Sequence, residues 1–301
     1  MPRPPVIIIG AHRSGTSMIT KLLGQLGLFV GAKLDENHEA LFFSELNTWL
    51  LSVCGGRWDI PRCIEYVLAQ PEGVVLVTDY LRQRLSSFPC IEYLGLERFV
   101  RYRSLFNVGE PWGWKDPRST ITLPFWLRLF PDARIVHVIR NGVDVANSLY
   151  RRERNGFQEA KRRYTKYKFA IPFREKRGWF GESPRVMDLS EGFRLWEEYV
   201  EYGERVTQPL CDQVLTLRYE DFLAAPETNL VNISEFCGLD MDKDRIKQAC
   251  SMVRRERAFA FGNDQKLVGF WESVHESKWM LKYGYSGYPS ETPPVASART
   301  E

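Results

Sequence analysis

The residues best suited to chemistry sit near the N-terminus, in "GAHRSGTS" at positions 10–17. Gly10, Gly15 and Ser17 keep the spacing of a nucleotide-binding G-x-x-x-x-G-K-[ST] loop, but Thr16 stands where that loop carries its lysine. Backbone N–H groups of such a loop, with a helix N-terminus behind them, hold a tetrahedral anion by hydrogen bonds and by the helix dipole. Glycines let the backbone wrap that anion with no Cβ in the way. A kinase adds a lysine on the β- and γ-phosphates and a hydroxyl on Mg²⁺. Here the lysine is missing, and no strong acidic metal partner follows an obvious strand. The charge falls instead on Arg13, whose planar guanidinium suits a phosphate or the oxygen bridging to a leaving group.

A loop of this kind needs a buried strand before it and a helix behind it. Val6 to Ile9 is a β-branched run ending at a glycine, and Met18, Ile19, Leu22, Leu23 and Leu26 then recur at helical spacing, with Gly27 at the helix end. "RIVHVIR" at 134–140 reads as a second buried strand, followed by an Asn141-Gly142 turn and a helix. "QVLTLRY" at 213–219 is a third strand and "WGWK" at 112–115 a short fourth. Helical segments are expected around 38–53, 76–87, 119–129, 190–207, 227–237 and 242–252. Repeated strand-then-helix units imply an α/β fold: one domain over 1–289, with a central, mainly parallel sheet flanked by helices. His137, mid-strand, is expected in the core, and the 290–301 tail has a disordered composition.

The chain has 301 residues, 44% hydrophobic and 26% charged, the balance of an ordinary globular protein. No apolar run is long enough for a signal peptide or a membrane span, so no stable membrane insertion is expected. Six scattered cysteines without a C-x-x-C pair point to free thiols in a reducing cytoplasm and to no metal site. The net charge of +3 hides an asymmetry, because residues 151–177 carry eleven Lys/Arg against three Glu. Such a block can draw an anionic ligand, an acidic substrate or a membrane surface, or it can be a solvated face.

A second motif narrows the chemistry. "RNGVDVANS", 140–148, is a strand ending in Arg, then a turn and a helix with Ser eight residues on. Together with "GAHRSGTS" it resembles the sulfotransferases that use 3′-phosphoadenosine-5′-phosphosulfate (PAPS). "WGWKDPRST", 112–120, and "FPDARIVHVIRNGVDVANSLYRR", 130–152, look like a large, mostly bacterial branch of that family. The resemblance implies that Gly10, His12, Arg13, Ser14, Gly15, Thr16 and Ser17 hold the 5′-phosphosulfate and that Arg140 and Ser148 hold the 3′-phosphate. Asp144 is expected to cap the helix, which puts Ser148 one turn in. "LTLRYEDFLAAPE", 215–227, is similar to the family's Y-E-D segment and carries the residue beside adenine over to Tyr219. The R-K-G nucleotide contact of the hormone-type enzymes is absent, leaving Arg257 in "RRERAFAF" as a weak substitute.

The resemblance implies transfer of SO₃ from PAPS to a hydroxyl or amine, by in-line displacement at sulfur and with no metal required. Arg13 and the loop N–H groups are placed for the charge that grows on the leaving oxygen. Lys115, ending "WGWK", can steady the sulfuryl oxygens, while Asp116 before Pro117 suits a helix cap. A general base must take the acceptor's proton, and "AKLDENHEALFFSELN", 32–47, offers candidates. Glu45 and Glu39 lead, His38 comes next, and Asp35 and Glu36 lie beside them; His12 either faces the acceptor or supports the loop. Residues 151–190 read as an irregular basic and aromatic insertion, a lid over an acceptor that is a small molecule or glycan and not a nucleic acid. Two other readings remain open: a P-loop kinase of a small metabolite, and a nucleotide-binding protein without catalysis.

Overall fold

The computed structural model describes residues 1–169, 179–240 and 242–287. At its centre is a four-stranded, all-parallel sheet in the order β2-β1-β3-β4. The strands are β1 (Val6–Ile9), β2 (Gly113–Lys115), β3 (Arg134–Ile139) and β4 (Val214–Arg218). In the first half of the chain the helices are α1 (Thr16–Gln25), α2 (Leu41–Val53), α3 (Ile64–Leu68), α4 (Pro71–Ser86), α5 (Ile91–Tyr102) and α6 (Ser119–Leu129). The second half adds α7 (Gly142–Lys166), α8 (Leu189–Thr207), α9 (Tyr219–Ala224), α10 (Pro226–Cys237), α11 (Lys243–Cys250), α12 (Gln265–Val274) and α13 (Lys278–Lys282).

A parallel sheet has to be covered on both faces, and the alternation of side chains along β1 shows how this one is. Ile7 and Ile9 enter a large core built with α2 to α8, α12 and α13. Val6 and Ile8 enter a smaller core with α1, α9, α10 and α11. The large core is rich in aromatics: Phe43 stacks on Trp114 with ring centroids 3.9 Å apart, and Trp126 meets both edge-on. His137 is buried in β3 as expected, and burial pushes its imidazole down to about 4. Helix α8 passes so close that a Cβ on Gly203 would lie 2.5 Å from that ring.

The strands fall where periodicity puts them, to within a residue. Helix α2 starts at Leu41 and not at His38, for a local reason. The Asp35 carboxylate accepts the N–H groups of Asn37 and Glu39, at 2.9 and 2.7 Å, and His38 sits at φ 59°, so residues 35–39 form a closed turn. The segment expected to be irregular from 151 is helical as far as Lys166, because α7 runs for 25 residues. Its outer half has almost no apolar periodicity, which hides a helix from sequence reading. Helices α3, α5, α9, α12 and α13 were not anticipated; in α5, Gly95 at φ 71° interrupts the regular spacing. Residues 170–178 of the supposed lid and the 290–301 tail lie outside the described residues.

Gly113 shows how tightly β1 and β2 are set. A Cβ there would lie 1.9 Å from the Val6 carbonyl oxygen, inside the strand pair that carries the loop. Gly113→Ala is therefore expected to cost about 3 kcal/mol, since backbone and not a flexible side chain would have to move. Urea unfolding checks this: the midpoint should fall with little change in slope.

Candidate active site

The parallel register sets the ends of β1 and β3 side by side, Ile9 against His137, so the segments leaving the two strands meet at one edge. From β1 comes the loop 10–15 and then α1. Gly10 and Gly15 have φ of 145° and 93°, and Arg13 adopts φ 72°, a conformation that costs a non-glycine residue energy. A Cβ on Gly10 would lie 2.4 Å from the Val138 carbonyl oxygen, and one on Gly15 would lie 2.3 Å from the Tyr219 ring. Thr120, at the start of α6, holds the loop's first residue: its Oγ1 accepts the Gly10 N–H at 3.0 Å and donates to the Gly10 carbonyl at 3.2 Å.

Among the described residues the N–H groups of Gly15, Thr16 and Ser17 have no acceptor, and no acidic side chain occupies the first turn of α1. The Thr16 and Ser17 hydroxyls are likewise uncommitted there, whereas Ser14 Oγ donates to the Ala11 carbonyl and so braces the loop from within. Unpaired donors at a helix N-terminus make an anion site.

From β3 comes Arg140. Its guanidinium lies 4.9 Å from the centroid of the Tyr219 ring and donates to the Arg13 carbonyl at 3.2 Å and the Arg257 carbonyl at 3.1 Å. Arg13 in turn donates through Nε to Ser148 Oγ at 2.9 Å. The two motifs are thus hydrogen-bonded to each other across the strand ends. Tyr219, 2% exposed, has its ring between Gly15 and Arg140 and forms the floor of the loop. Glu220 next to it accepts the Asn141 N–H at 3.0 Å and fixes the turn into α7.

Asp144 corrects an expectation. Asn141 caps α7, its side chain accepting the N–H groups of Val143 and Asp144 at 3.0 and 3.4 Å. Asp144 lies inside the helix, buried, and accepts the Phe261 N–H at 2.8 Å, the Ala260 N–H at 3.2 Å and Arg140 at 3.3 Å. It ties the segment around Arg257 to the arginine at the strand end. Burial pushes its carboxyl up, against the pull of Arg140 and the two N–H groups.

Positive charge is concentrated here. The Arg13 guanidinium is pushed down from its ordinary value, first by desolvation and then by Arg152, Arg140 and Arg257. Arg152, one turn beyond Ser148 and not singled out from the sequence, lies 5.0 Å from the centroid of the Trp58 ring. It pairs with Glu182 at 2.9 Å, and its Nε is buried without a partner among the described residues.

A second charged cluster adjoins the loop. Lys115 ends β2 opposite Ile8 in the register, is 1% exposed and donates to Glu39 Oε1 at 2.9 Å. Arg118 donates to Glu39 Oε2 at 2.9 Å, to Asp116 Oδ1 at 2.8 Å, and to the Ser44 and Thr48 hydroxyls. Asp116 closes the turn into α6 by accepting the Arg118 N–H at 2.9 Å, and the buried Asn47 side chain donates to its other oxygen at 2.8 Å. Burial and Asp116 raise the Glu39 carboxyl above the ordinary value, while Lys115 and Arg118 pull the other way. His12 points into this cluster against Trp58 and Tyr199, with ring centroids 4.8 and 5.7 Å away. Desolvation first, then the cations Arg118, Arg152, Lys115 and Arg13, hold its imidazole well below 6.5, so it is neutral, and its buried Nε2 has no partner among the described residues.

The base candidates separate. Glu39 is bound into the cluster, Glu45 is exposed on α2, and His38 belongs to the strained turn that delivers Glu39. Asp35 builds that turn and Glu36 is exposed. Sequence reading missed Arg118, Arg152, Trp58 and Tyr199; the signals were Arg118 two residues after Asp116 and Arg152 four after Ser148, on one helix face. Among the described residues no group of three or more His, Cys, Asp or Glu could hold a metal ion, and no helix is long and apolar enough to cross a membrane.

Comparison with known proteins gives a family-level match. A family model described as "Sulfotransferase family" matches residues 4–243. No curated protein matches. Among solved structures, the chain is similar to sulfotransferase STF1 from Mycobacterium tuberculosis, at 15% identity and TM-score 0.43, covering 84% of this chain and 72% of that one. It is similar to the sulfotransferase domain from the curacin biosynthetic pathway, at 16% identity and TM-score 0.46, covering 91% and 92%. A retinol dehydratase in complex with androsterone and inactive cofactor PAP also matches, at 18% identity and TM-score 0.33, covering 85% and 66%.

The Asp144 clasp can be tested without substrate. Asp144→Ala leaves the Ala260 and Phe261 N–H groups without their acceptor, removes the carboxylate partner of Arg140, and should cost about 3 kcal/mol. Hydrogen exchange should then accelerate at the Ala260 and Phe261 amides; unchanged protection there would show that the clasp does not hold the segment.

Proposed function

The chain belongs to the sulfotransferase family, and on that premise we propose that it moves the sulfuryl group of PAPS to a hydroxyl or amine acceptor, releasing adenosine 3′,5′-bisphosphate. The observation that carries this reading is the Arg13–Ser148 hydrogen bond at 2.9 Å, with Arg140 on the Arg13 carbonyl. A single nucleotide with phosphate at both ends would explain why a phosphate loop and a second arginine–serine pair are joined. The loop N–H groups of Gly15, Thr16 and Ser17 would take the 5′-phosphosulfate, with the Thr16 and Ser17 hydroxyls beside them. Arg140 and Ser148 would take the 3′-phosphate, and Arg257 would flank it. In this reading Gly10 and Ser14 shape the loop, and Tyr219 supports it from below.

In the transfer step the acceptor oxygen or nitrogen forms a bond to sulfur, and the bond from sulfur to the 5′-phosphate oxygen breaks. The electron pair of that bond stays on the phosphate oxygen, where Arg13 and the loop N–H groups stabilise it. The acceptor's proton goes to Glu39, the carboxylate that burial has made more basic. Lys115 holds Glu39 in place and directs its remaining N–H groups at the sulfuryl oxygens. Arg118 positions Glu39 from the other side, and neutral His12, with Nε2 unpaired, faces the acceptor. No metal is needed in this scheme. The acceptor is a small molecule or glycan, and the six free thiols fit a reducing cytoplasm.

Calorimetry should show tight binding of adenosine 3′,5′-bisphosphate, unaffected by EDTA, and binding of 5′-AMP weaker by at least about a hundredfold. Arg140→Ala should erase most of that difference. Equal affinity for the two nucleotides would remove the 3′-phosphate role, and a requirement for Mg²⁺ with ATP would favour the kinase reading.

Glu39 gives a pH signature. A base works only when deprotonated, so kcat/KM should rise with pH through a limb above 4.5, the ordinary glutamate value, because the folded site raises this group. Glu39→Gln should abolish that limb and lower kcat by about a hundredfold or more, while Glu45→Gln should leave both nearly unchanged. A limb that persists in Glu39→Gln would assign the base elsewhere.

A further inference from the structure

Helix α7 begins in the cleft and ends far from it. Its last turns and the residues after them, 161–169, read "KRRYTKYKF", with five Lys/Arg, three aromatics and no acid. All nine are exposed. Tyr164, Tyr167 and Phe169 are 40%, 49% and 76% exposed, three aromatic rings at the surface within six residues. Of the five cations, Arg163 alone has an acidic partner among the described residues: Glu159 at 3.3 Å, with both side chains more than 70% exposed, a pairing of little strength.

Charge and aromatic rings are interleaved here, and Tyr164 meets Phe180 edge-on with ring centroids 5.3 Å apart. At about 100° per residue, Lys161, Arg162, Lys166 and Arg163 fall at about 0°, 100°, 140° and 200° around the helix, so they cover one broad face and not a narrow stripe. Tyr167 and Phe169 continue past this charged face, with Lys166 Nζ 5.3 Å from the Tyr167 ring centroid. An anionic layer that takes up cations across one broad face, and aromatic rings at the level of its polar groups, matches this arrangement.

We propose that residues 161–169 form a peripheral docking site for the anionic headgroups of a lipid surface. The contact is electrostatic and reversible, with the rings lodged among the headgroups and no segment crossing the bilayer. Each cation brought to such a surface strengthens binding roughly fivefold, so several together suffice for a measurable affinity. The 18 residues from Ser148 to Lys166 span about 27 Å along the helix, which sets the greatest distance at which α7 could hold the cleft from the surface. This inference does not depend on the donor or the acceptor of the reaction.

The test is co-sedimentation of the intact protein with phosphatidylcholine vesicles, with and without phosphatidylserine. Binding is expected only to the phosphatidylserine vesicles, and it should disappear in about 0.5 M salt, where the Debye length is a few ångströms. Lys161→Glu with Arg162→Glu should weaken it at least about tenfold, and Phe169→Ser should weaken it further at unchanged charge. Unchanged calorimetric binding of adenosine 3′,5′-bisphosphate, or failing that an unchanged thermal unfolding curve, shows that the variants are folded. No binding, equal binding to both vesicles, or variants that bind like the parent would overturn the proposal. So would a single-stranded RNA oligonucleotide that displaces the protein from vesicles and itself binds more tightly at the same salt.

Discussion

Like charges gathered on one edge of a sheet repel each other, and most of what surrounds the loop serves to hold them there. Arg13, Arg140, Arg152 and Arg257 stand close enough for Arg13 to feel the other three, and burial adds to the penalty. The register of β1 on β3 makes this unavoidable, since the chain leaves both strands at the same edge. Compensation is sparse. Asp144 and Glu182 are the carboxylates that reach the group by hydrogen bond or ion pair among the described residues, and Asp144 also has to satisfy two backbone N–H groups. Hence the arginines bond to carbonyls and to a hydroxyl: Arg13 to Ser148, Arg140 to the carbonyls of Arg13 and Arg257. Neutral acceptors orient a guanidinium without cancelling its charge. The surplus that remains is what an anion would meet.

The neighbouring cluster obeys the opposite rule. Lys115 and Arg118 are matched there by Glu39 and Asp116, and every one of these four groups is hydrogen-bonded to another. A buried, balanced set of this kind carries no net charge and can offer an anion only hydrogen-bond donors, while burial raises the proton affinity of Glu39. Asn47 anchors it: its amide donates to Asp116 and Ser119 and accepts from Thr122 and Trp126, all within 3 Å. Cations are thus in surplus on one side of the loop and matched by carboxylates on the other, with His12 and Arg13, adjacent in sequence, facing the two sides.

Elements whose pattern depends on burial were legible from the sequence, and elements held by polar contacts were not. β1 and β3 are apolar on both faces and were readable as strands; α1 and α8 show their apolar spacing directly. The loop was readable because its backbone geometry demands glycine at fixed spacing, whereas Arg140 and Ser148 stood out only through the resemblance to the sulfotransferases. The start of α2 was not, since it is decided by one Asp35 carboxylate bonding to two N–H groups. Nor was the difference in surroundings between Glu39 and Glu45, since the fold delivers Lys115 and Arg118 beside Glu39 from more than seventy residues away. The role of Asp144 was hidden for the same reason, as its partners lie 116 and 117 residues away.

Helix α7 relates the two sides to one another. Asp144, Ser148 and Arg152 recur every four residues, so they lie along one face and meet the site in order: carboxylate, hydroxyl, guanidinium. Asp144 engages Arg140 and the C-terminal segment, Ser148 engages Arg13, and Arg152 lies over Trp58, which also packs against His12. Close packing fixes the helix along this face. A Cβ on Gly142 would lie 2.5 Å from the Trp196 ring, and Gly192 of α8 passes 3.5 Å from Ala146 by the same measure. With so little clearance α7 cannot rotate to accommodate one contact without shifting the other two. A ligand that rearranged Arg13 would therefore act through Ser148 on the position of Arg152, and the arginine-rich side of the loop would be coupled to the side that holds Glu39 by a rigid element already in place.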